Sequence, residues 1–334
     1  MTPITEVEGR RLALSNLDKV LHPVTGTTKG EVLHYYATVG AVILPHLRDR
    51  PVSFLRYPDG PDGQLFFTKN PPPGTPSWVR TTPVPRSEDP RARQVVIEDL
   101  ASLMWAANLV VEFHTPQWRA SSPAVADRLV FDLDPGPPAG VVDCCRVALH
   151  LRERLLADGL EAFAKTSGSK GLHLLVPVVP TPSPRVSAYA KQLAVEAEAA
   201  LPGLVTHRMS RALRSGKVFV DHSQNAAAKT TATPYTLRAR ARPTVSAPVT
   251  WEEVEACAAL AGGPDRSGGH GRPGGHGRPG GHGRPGGHDR PGGPGDPLDP
   301  AALVLLMGDI APRLELYGDL LAPLFAPERA GAVP

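Results

Sequence analysis

The sequence predicts an α/β (α+β) protein in which central, mainly antiparallel β-sheets are flanked by helices. Several segments carry apolar residues at helical spacing, and others are short, apolar and rich in Val and Leu, as strands are. These segments do not alternate at the regular intervals of βαβ units, which would indicate a parallel sheet. The lack of that regularity favours antiparallel pairing.

Four segments before residue 263 are predicted to be helical. In the first, Val32, Tyr35, Tyr36 and Val39 recur at intervals of three and four residues, and Pro45 indicates its end. The predicted helices span residues 29–46, 101–111, 141–157 and 187–200.

Three segments are predicted to be strands, because they are short, apolar and β-branched. They span residues 128–133, 171–179 and 217–220. Residues 300–324 are apolar enough to form one or two further helices that dock on the core.

Composition limits the class of protein. The 334 residues are 41% apolar and carry a formal charge of +3, which permits a polyanionic partner without demanding one. No apolar run is long enough to span a membrane, and the first residues lack the apolar core of a signal peptide. The three cysteines have neither disulfide-framework nor zinc-ligand spacing, so we expect a reduced, cytoplasmic setting.

One segment has a different composition. From Gly268 to Gly293 the hexad GGHGRP repeats with drift, and Gly and Pro at this density cannot form a packed core. We expect residues 264–297 to be a linker inserted between a main domain, residues 1–263, and C-terminal helices within residues 298–328.

The most informative motif is LVFDLDPG at residues 129–136. Asp132 and Asp134 are two residues apart on a strand, so both carboxylates leave the same face. Two like charges held together are costly unless a cation lies between them. Hard divalent ions take oxygen ligands of this kind. The motif predicts a metal site, although two solvated acids at a strand end would give the same pattern.

A second motif, KTSGSKGLH, spans residues 165–173. Its small residues permit a close backbone approach, its hydroxyls and amides can hold phosphate oxygens, and Lys170 supplies a countercharge. The spacing is not that of a Walker A loop. An ordinary turn before the strand that His173 begins is the alternative interpretation.

The third motif, KVFVDHSQN, spans residues 217–225 and delivers Asp221 at the end of an apolar strand. Three carboxylates on converging strand ends are what a two-metal phosphoryl-transfer site requires. Taken alone, an Asp after a strand is usually a turn former.

In this order, DLD, SGSKGLH and VFVD with SQN resemble the three motifs of the archaeo-eukaryotic primase superfamily. Residues 9–251 resemble more specifically the polymerase domain of the bacterial end-joining ligase D. The segments that carry this resemblance are SNLDKVLHP, GTTKGEVLHYYA, GQLFFTKN, VEFHTPQWR, RLVFDLDPG and KTTATPYTLRAR.

The resemblance implies a primase-polymerase fold and template-directed addition of nucleotides to 3′ ends at DNA breaks or gaps. It also implies two metal ions, Mn²⁺ (or Mg²⁺), and NTP or dNTP substrates, with ribonucleotides often favoured. Residues 1–263 would then form the catalytic domain.

Site residues follow from the same resemblance. Asp132, Asp134 and Asp221 match the metal-binding and catalytic carboxylates. Contacts to the incoming nucleotide are implied for His114, Ser167, Lys170, His173, Gln224, Arg238 and Arg240. A pocket for a DNA 5′-phosphate is implied for Asn16, Lys19 and Lys29, and stacking against template bases for Phe66 and Phe67.

Some of these residues have an ordinary structural alternative. Lys19 and Lys29 taken alone would be solvated surface lysines, and His114 would be a structural histidine. Neighbouring residues on a strand face opposite ways, so we expect one of Phe66 and Phe67 to lie in the core.

Full-length ligase D also contains an ATP-dependent ligase, and the Lys-x-Asp-Gly motif of such a ligase is absent from this sequence. We therefore expect a stand-alone, nucleoid-associated polymerase that acts on gapped or broken DNA with a 5′-phosphate. Its expected partners are Ku and a separate ATP-dependent DNA ligase, with no membrane contact. Two alternatives stay open, a primase for replication or damage tolerance and a non-catalytic DNA-end-binding module.

Overall fold

The computed structural model describes residues 4–83, 92–262 and 303–334. The predicted linker, residues 264–297, lies outside these ranges, as do residues 298–302. The predicted division of the chain at residues 263 and 297 therefore stays a prediction.

Fifteen strands are described within these residues. They are β1 Ile4–Val7, β2 Arg10–Ala13, β3 Val20–His22, β4 Thr27–Thr28, β5 Pro51–Arg56, β6 Phe66–Thr68, β7 Thr81–Pro83, β8 Arg93–Val96, β9 Val111–Thr115, β10 Val125–Pro135, β11 Phe163–Thr166, β12 Leu172–Pro182, β13 Val205–Thr206, β14 Val218–Asp221 and β15 Thr231–Ala232.

Seven α-helices accompany them in the described part of the chain. They are α1 Lys29–Thr38, α2 Gly40–Leu47, α3 Leu100–Ala107, α4 Val141–Ala157, α5 Ser183–Ala200, α6 Trp251–Ala259 and α7 Ile310–Tyr317. None of the helices in the described residues is long and apolar enough to cross a membrane.

The first large sheet has five strands in the order β11-β12-β10-β14-β13. All its pairings are antiparallel except that of β13 with β14. Helices α4 and α5 contact β10 and β12 on one side of the sheet. Leu129, Phe131 and Leu133, which alternate along β10, belong to the core. The opposite face of β10 carries the acidic motif, because residues two apart share a face.

The second large sheet has the order β15-β9-β5-β8-β7, and β6 also pairs with β5. Its pairings are antiparallel. Aromatic side chains join it to the helices, since the Phe113 ring lies 5.2 Å from Tyr36 and the Phe54 ring 6.5 Å from Trp105. Both sheets share one hydrophobic core, which confirms the predicted α/β class with mainly antiparallel sheets.

The structure corrects two predicted helices. The segment 29–46 forms two helices, because the chain leaves helical geometry at Val39, and α2 continues past Pro45. The helix predicted for 101–111 ends at Ala107. Val110 has a φ of 57° and the chain then enters β9.

Two other predicted helices, and the predicted start of α1, agree with the structure more closely. The helix at 141–157 has the predicted bounds, and α5 starts four residues earlier than expected, with Pro184 in its first turn. A capping box formed by Thr28 and Glu31 starts α1 at Lys29.

Residues 303–334 contact the five-stranded sheet and helix α2. Leu321 packs with Val130 and Leu175 of the five-stranded sheet, and the Phe325 ring lies 4.8 Å from His46 of α2. Within residues 298–328, the structure describes the single α-helix α7 and several short 3₁₀ turns.

Candidate active site

A row of polar side chains crosses the five-stranded sheet at the acidic motif. Asp132 on β10 lies directly opposite His173 on β12 and Asp221 on β14. Directly opposed residues in antiparallel strands point to the same face. Asp134, two residues further along β10, shares that face. The sheet thus brings the three predicted carboxylates to one side, away from α4 and α5.

The environments of Asp132 and Asp134 shift the pKa values of the two carboxyl groups in opposite directions. Burial, followed by the charge of Asp132, raises the pKa of Asp134. Burial also disfavours the charged form of Asp132, but His173 and the positive charge of Lys165 outweigh it and hold the pKa of Asp132 below its usual value. The mutual repulsion of these carboxylates is what a bound cation would relieve.

The donor set fits a hard divalent cation. Asp132 and Asp134 present carboxylate oxygens, and Asp221 accepts hydrogen bonds from the Ser223 backbone N–H at 3.0 Å and from Gln224 Nε2 at 2.8 Å. In the part of the chain that the structure describes, no three His, Cys, Asp or Glu side chains form a ready-made metal site. The ligand chemistry is therefore suitable, while the cage itself is not preformed.

An open cleft of about 450 Å³ adjoins Asp134. Three cationic side chains line it, namely Lys170, Arg211 and Arg214. Arg214 lies 3.8 Å from Asp134 Oδ2 and its guanidinium covers the Phe219 ring at 3.6 Å. A cleft with a carboxylate at one wall and cations around it suits a polyanionic ligand that arrives with a metal ion.

The loop predicted to hold phosphate is tightly organised. Ser167 Oγ accepts hydrogen bonds from the backbone N–H groups of Ser169 and Gly171, both at 3.1 Å. Gly171 lies so close to β10 that a Cβ there would stand 1.9 Å from Leu133 O. The loop therefore places Lys170 beside the acidic motif.

A second chain segment holds this loop from outside. Thr244 Oγ1 donates to Gly168 O at 2.6 Å, Arg240 donates to Ser169 Oγ at 2.5 Å, and Arg238 donates to Ser167 O. The predicted nucleotide residues Ser167, Arg238 and Arg240 are thus brought together.

His173 is buried and its Nε2 lies 3.3 Å from Asp132 Oδ1. Burial and the neighbouring charge of Lys165 lower the pKa of His173 to about 4, so the ring is neutral at pH 7. Its buried Nδ1 has no hydrogen-bond partner among the residues described. A buried polar atom without a partner is costly, and a ligand could satisfy it.

His114 lies on the other large sheet, on β9. Its Nε2 is 3.0 Å from Glu112 Oε2, and the same carboxylate oxygen accepts from Arg238 Nε at 2.9 Å. The Phe67 ring is 6.4 Å from the His114 ring. The contact of Glu112 with Arg238 connects β9 to the segment that holds the Ser167–Gly171 loop.

A separate basic pocket lies near the N-terminus. The Lys19 N–H donates to Asn16 O at 3.1 Å and the Lys29 N–H donates to Lys19 O at 2.8 Å. Burial, and secondly the charge of Lys19, lowers the pKa of Lys29. Lys19 Nζ lies 2.6 Å from Asp59 at the surface. Two ammonium groups held against their own repulsion suit an anion such as a phosphate.

This basic pocket is connected to the nucleotide residues. His22, which ends β3, is fully buried, and its Nδ1 lies 2.8 Å from Arg240 O. The strand that follows Lys19 thus contacts the backbone of a residue that holds the Ser167–Gly171 loop.

The structure overturns one expectation about the aromatic pair. Both side chains are exposed, Phe66 by 42% and Phe67 by 56%, so neither lies in the core. Among the described strands, the short strand β6 pairs only with β5, so it lies at the margin of the sheet. Both rings are open to a nucleic acid.

Three site residues escaped the sequence analysis. Glu112 precedes His114 in the segment VEFH, and Lys165, fully buried, donates to Ser246 Oγ at 2.5 Å. A charged residue inside an apolar strand was the available signal for both. Arg214 had no signal beyond its basic neighbourhood.

Comparisons with known proteins identify the family to which this chain is similar. A family model described as "LigD, primase-polymerase domain" matches residues 28–262. The chain is 38% identical over 320 residues to the multifunctional non-homologous end joining protein LigD of Mycolicibacterium smegmatis, covering 95% of this chain and 36% of that protein. It is 44% identical over 257 residues to the multifunctional non-homologous end joining DNA repair protein LigD of Mycobacterium tuberculosis, covering 74% of this chain and 34% of that protein.

A solved structure is also similar. The polymerase domain from Mycobacterium tuberculosis ligase D in complex with DNA superposes with a TM-score of 0.78 at 37% identity, covering 95% of this chain and 99% of that one. The chain spans about a third of the length of the LigD relatives that it matches.

Proposed function

The chain belongs to the family of LigD primase-polymerase domains and is a nucleotidyltransferase, and we propose that it extends 3′ ends on a template at double-strand breaks or gaps. The relatives are named as non-homologous end joining proteins, which supports a role in that repair. The observation that carries the proposal is the row of Asp132, Asp221 and His173 beside a cation-lined cleft.

In the proposed site, Asp132, Asp134 and Asp221 would hold two divalent ions, Mn²⁺ or Mg²⁺. Such ions, when bound, lower the pKa of a primer 3′-hydroxyl and neutralise charge on a triphosphate. Asp221 is held in place by Ser223 and Gln224, so its carboxylate is oriented before a primer arrives.

The chain's own residues bind and position the nucleotide. Lys170, Arg238 and Arg240 offer positive charge to the phosphates, and Ser167 holds the loop that carries Lys170. His173, neutral at pH 7, offers a buried ring nitrogen. His114 is held beside Arg238, because both contact Glu112.

The DNA substrate is recognised at two further places in this proposal. Asn16, Lys19 and Lys29 bind the 5′-phosphate on the far side of the gap, because two ammonium groups and an amide suit a phosphate. Phe66 and Phe67 are exposed and stack on template bases. A preference for ribonucleotides is proposed from the family resemblance.

Partners follow from the pathway named for the relatives. We propose that Ku delivers the broken ends and that a separate ATP-dependent DNA ligase seals them. The proposed compartment is the cytoplasm, at the nucleoid. The proposed architecture is a catalytic domain of residues 1–263, a linker of residues 264–297 and C-terminal helices within residues 298–328.

The proposal is tested by the double substitution Asp132→Ala and Asp134→Ala. Removing both carboxylates should lower primer extension by about 10³-fold or more, because several kcal/mol of transition-state stabilisation is lost. Binding of gapped DNA, measured by fluorescence anisotropy, should stay close to wild type. Undiminished extension by the double variant would exclude the proposed active site.

A further inference from the structure

Glu112 is a buried carboxylate that the proposed chemistry does not use directly. It lies in β9 with an exposure of 2%, between two residues proposed to bind the nucleotide. Its Oε2 accepts from His114 Nε2 at 3.0 Å and from Arg238 Nε at 2.9 Å, and its Oε1 accepts from the Ala239 N–H at 2.5 Å. One carboxylate thus orients groups on two separate segments.

These contacts continue into the phosphate loop. Arg238, held by Glu112, also donates to Ser167 O. The resulting chain of contacts runs from His114 on one sheet, through Glu112 and Arg238, to the loop beside the other sheet. It sets the spacing between the two walls of the proposed nucleotide pocket.

Glu112 also determines which His114 nitrogen carries a hydrogen. Burial alone would raise the pKa of Glu112, but the hydrogen bond from His114 and the charge of Arg238 bring it to about 2, so the group is ionised at pH 7. An ionised carboxylate only accepts hydrogen bonds. Nε2 of His114 must therefore be the donor, which leaves Nδ1 as the ring nitrogen available to a ligand.

We propose that Glu112 is the positioning residue of the nucleotide pocket, holding His114 and Arg238 in the arrangement that binds a nucleoside triphosphate. The inference rests on the proposed polymerase function. It predicts that losing the Glu112 charge weakens nucleotide binding through both partners at once, while binding at the 5′-phosphate pocket, which Glu112 does not contact within the described residues, is unaffected.

The test compares Glu112→Gln with a matched control, Asp127→Asn. Asp127 is likewise a carboxylate held by arginines, accepting from Arg50 at 2.7 Å and Arg119 at 2.7 Å, but it contacts no proposed nucleotide residue. Glu112→Gln should raise the nucleotide KM by about tenfold or more, as expected for a lost charged hydrogen bond. Its Kd for gapped DNA should stay within about twofold of wild type.

The control separates positioning from general stability. Asp127→Asn should lower the thermal midpoint while leaving the nucleotide KM unchanged. A rise in KM for Glu112→Gln no larger than that for Asp127→Asn overturns the inference. If Glu112→Gln does not fold, Glu112→Asp, which keeps the charge and withdraws it by one methylene, should raise KM in the same direction.

A double-substitution cycle tests the route through His114. In a protein that already carries His114→Ala, Glu112→Gln should raise the nucleotide KM by a smaller factor than it does in the wild type, because one partner of Glu112 is already missing. If the two substitutions raise the nucleotide KM by factors that simply multiply, the inference is overturned.

Binding of a non-hydrolysable nucleoside triphosphate is measured by calorimetry and compared with primer extension. If the wild-type protein neither binds the nucleotide nor extends a primer, the proposed function is refuted. If the wild type does both and Glu112→Gln binds the nucleotide equally well, only the role of Glu112 is refuted.

Discussion

At the scale of one residue, Glu112 is almost fully buried and yet ionised at neutral pH, because His114 and Arg238 lower its pKa. Its folded-state pKa of about 2 lies below the ordinary value of 4.5. A depressed carboxyl pKa stabilises the fold above the ordinary value, and the stabilisation is lost as pH falls through the folded-state pKa. The difference corresponds to a contribution on the order of 3 kcal/mol at neutral pH.

This gives a pH-dependent prediction for Glu112→Gln. The free energy of unfolding of wild type should exceed that of the variant at pH 7. The difference should shrink by roughly half by pH 3, because below pH 4.5 the unfolded chain takes up a proton at Glu112 more readily than the folded chain does. Urea unfolding at both pH values measures the difference. A difference that does not change with pH would mean that the buried carboxylate is not charged as described.

The sequence predicted site residues where a motif has its own chemistry. Asp132 and Asp134 follow from their spacing on a strand, and the structure places Asp221 directly opposite Asp132. Glu112 and Lys165 could not be assigned in the same way. Their roles depend on partners distant in the chain, such as Arg238 and Ser246, and no local pattern gives those partners.

At the scale of elements, the Ser167–Gly171 loop depends on close packing against β10. A Cβ at position 171 would stand 1.9 Å from Leu133 O, and Leu133 lies between Asp132 and Asp134. Lys170 precedes this contact and His173 follows it. Any shift of the loop therefore moves both proposed nucleotide residues relative to Asp132.

Gly171→Ala should accordingly destabilise the protein by about 1–3 kcal/mol or more and lower primer extension. The matched control is Gly203→Ala, since a Cβ there meets no atom within 4 Å. The control should stay within about 0.5 kcal/mol of wild type. Thermal unfolding and extension assays compare the two, and equal behaviour of the variants would contradict the close approach described.

Three strands of the five-stranded sheet, β10, β12 and β14, were predictable because they are apolar and β-branched. Those of the other large sheet were not identified, since β6 is short and exposed and β9 alternates buried apolar residues with Glu112 and His114. The helix predicted through residue 111 failed for a related reason. Val110 and Val111 fit a helical pattern, yet the turn at Val110 carries the chain into β9.

At the scale of the whole molecule, residues 303–334 complete the core around the site. Leu321 is fully buried on the face of the sheet that carries Val130, two residues before Asp132. Tyr235 OH donates to Asp319 Oδ1 at 2.6 Å, which fixes the same segment to the stretch of chain that leads to Arg238, a predicted nucleotide residue. This packing could not be predicted from the sequence beyond the apolar character of residues 300–324.

Leu321→Ala should therefore cost about 2–5 kcal/mol of stability, the usual range for a buried leucine. Leu316, with an exposure of 71%, is the matched control on the same segment. Leu316→Ala should change stability by less than about 0.5 kcal/mol. Denaturant unfolding of both variants checks this, and similar losses would show that residues 303–334 do not pack as described.

We propose that one protein carries both a nucleotidyltransferase site and a pocket for a DNA 5′-phosphate. The most direct measurement is primer extension on a gapped duplex, with and without the downstream 5′-phosphate, using Mn²⁺ and each nucleotide type. The phosphate should stimulate extension by about tenfold, the gain expected from charge-assisted contacts. Lys19→Ala should remove the stimulation, and Lys191→Ala, an exposed lysine on α5, should preserve it. Extension that is indifferent to the phosphate would contradict the end-joining role and favour a primase, and no extension at all would contradict the polymerase.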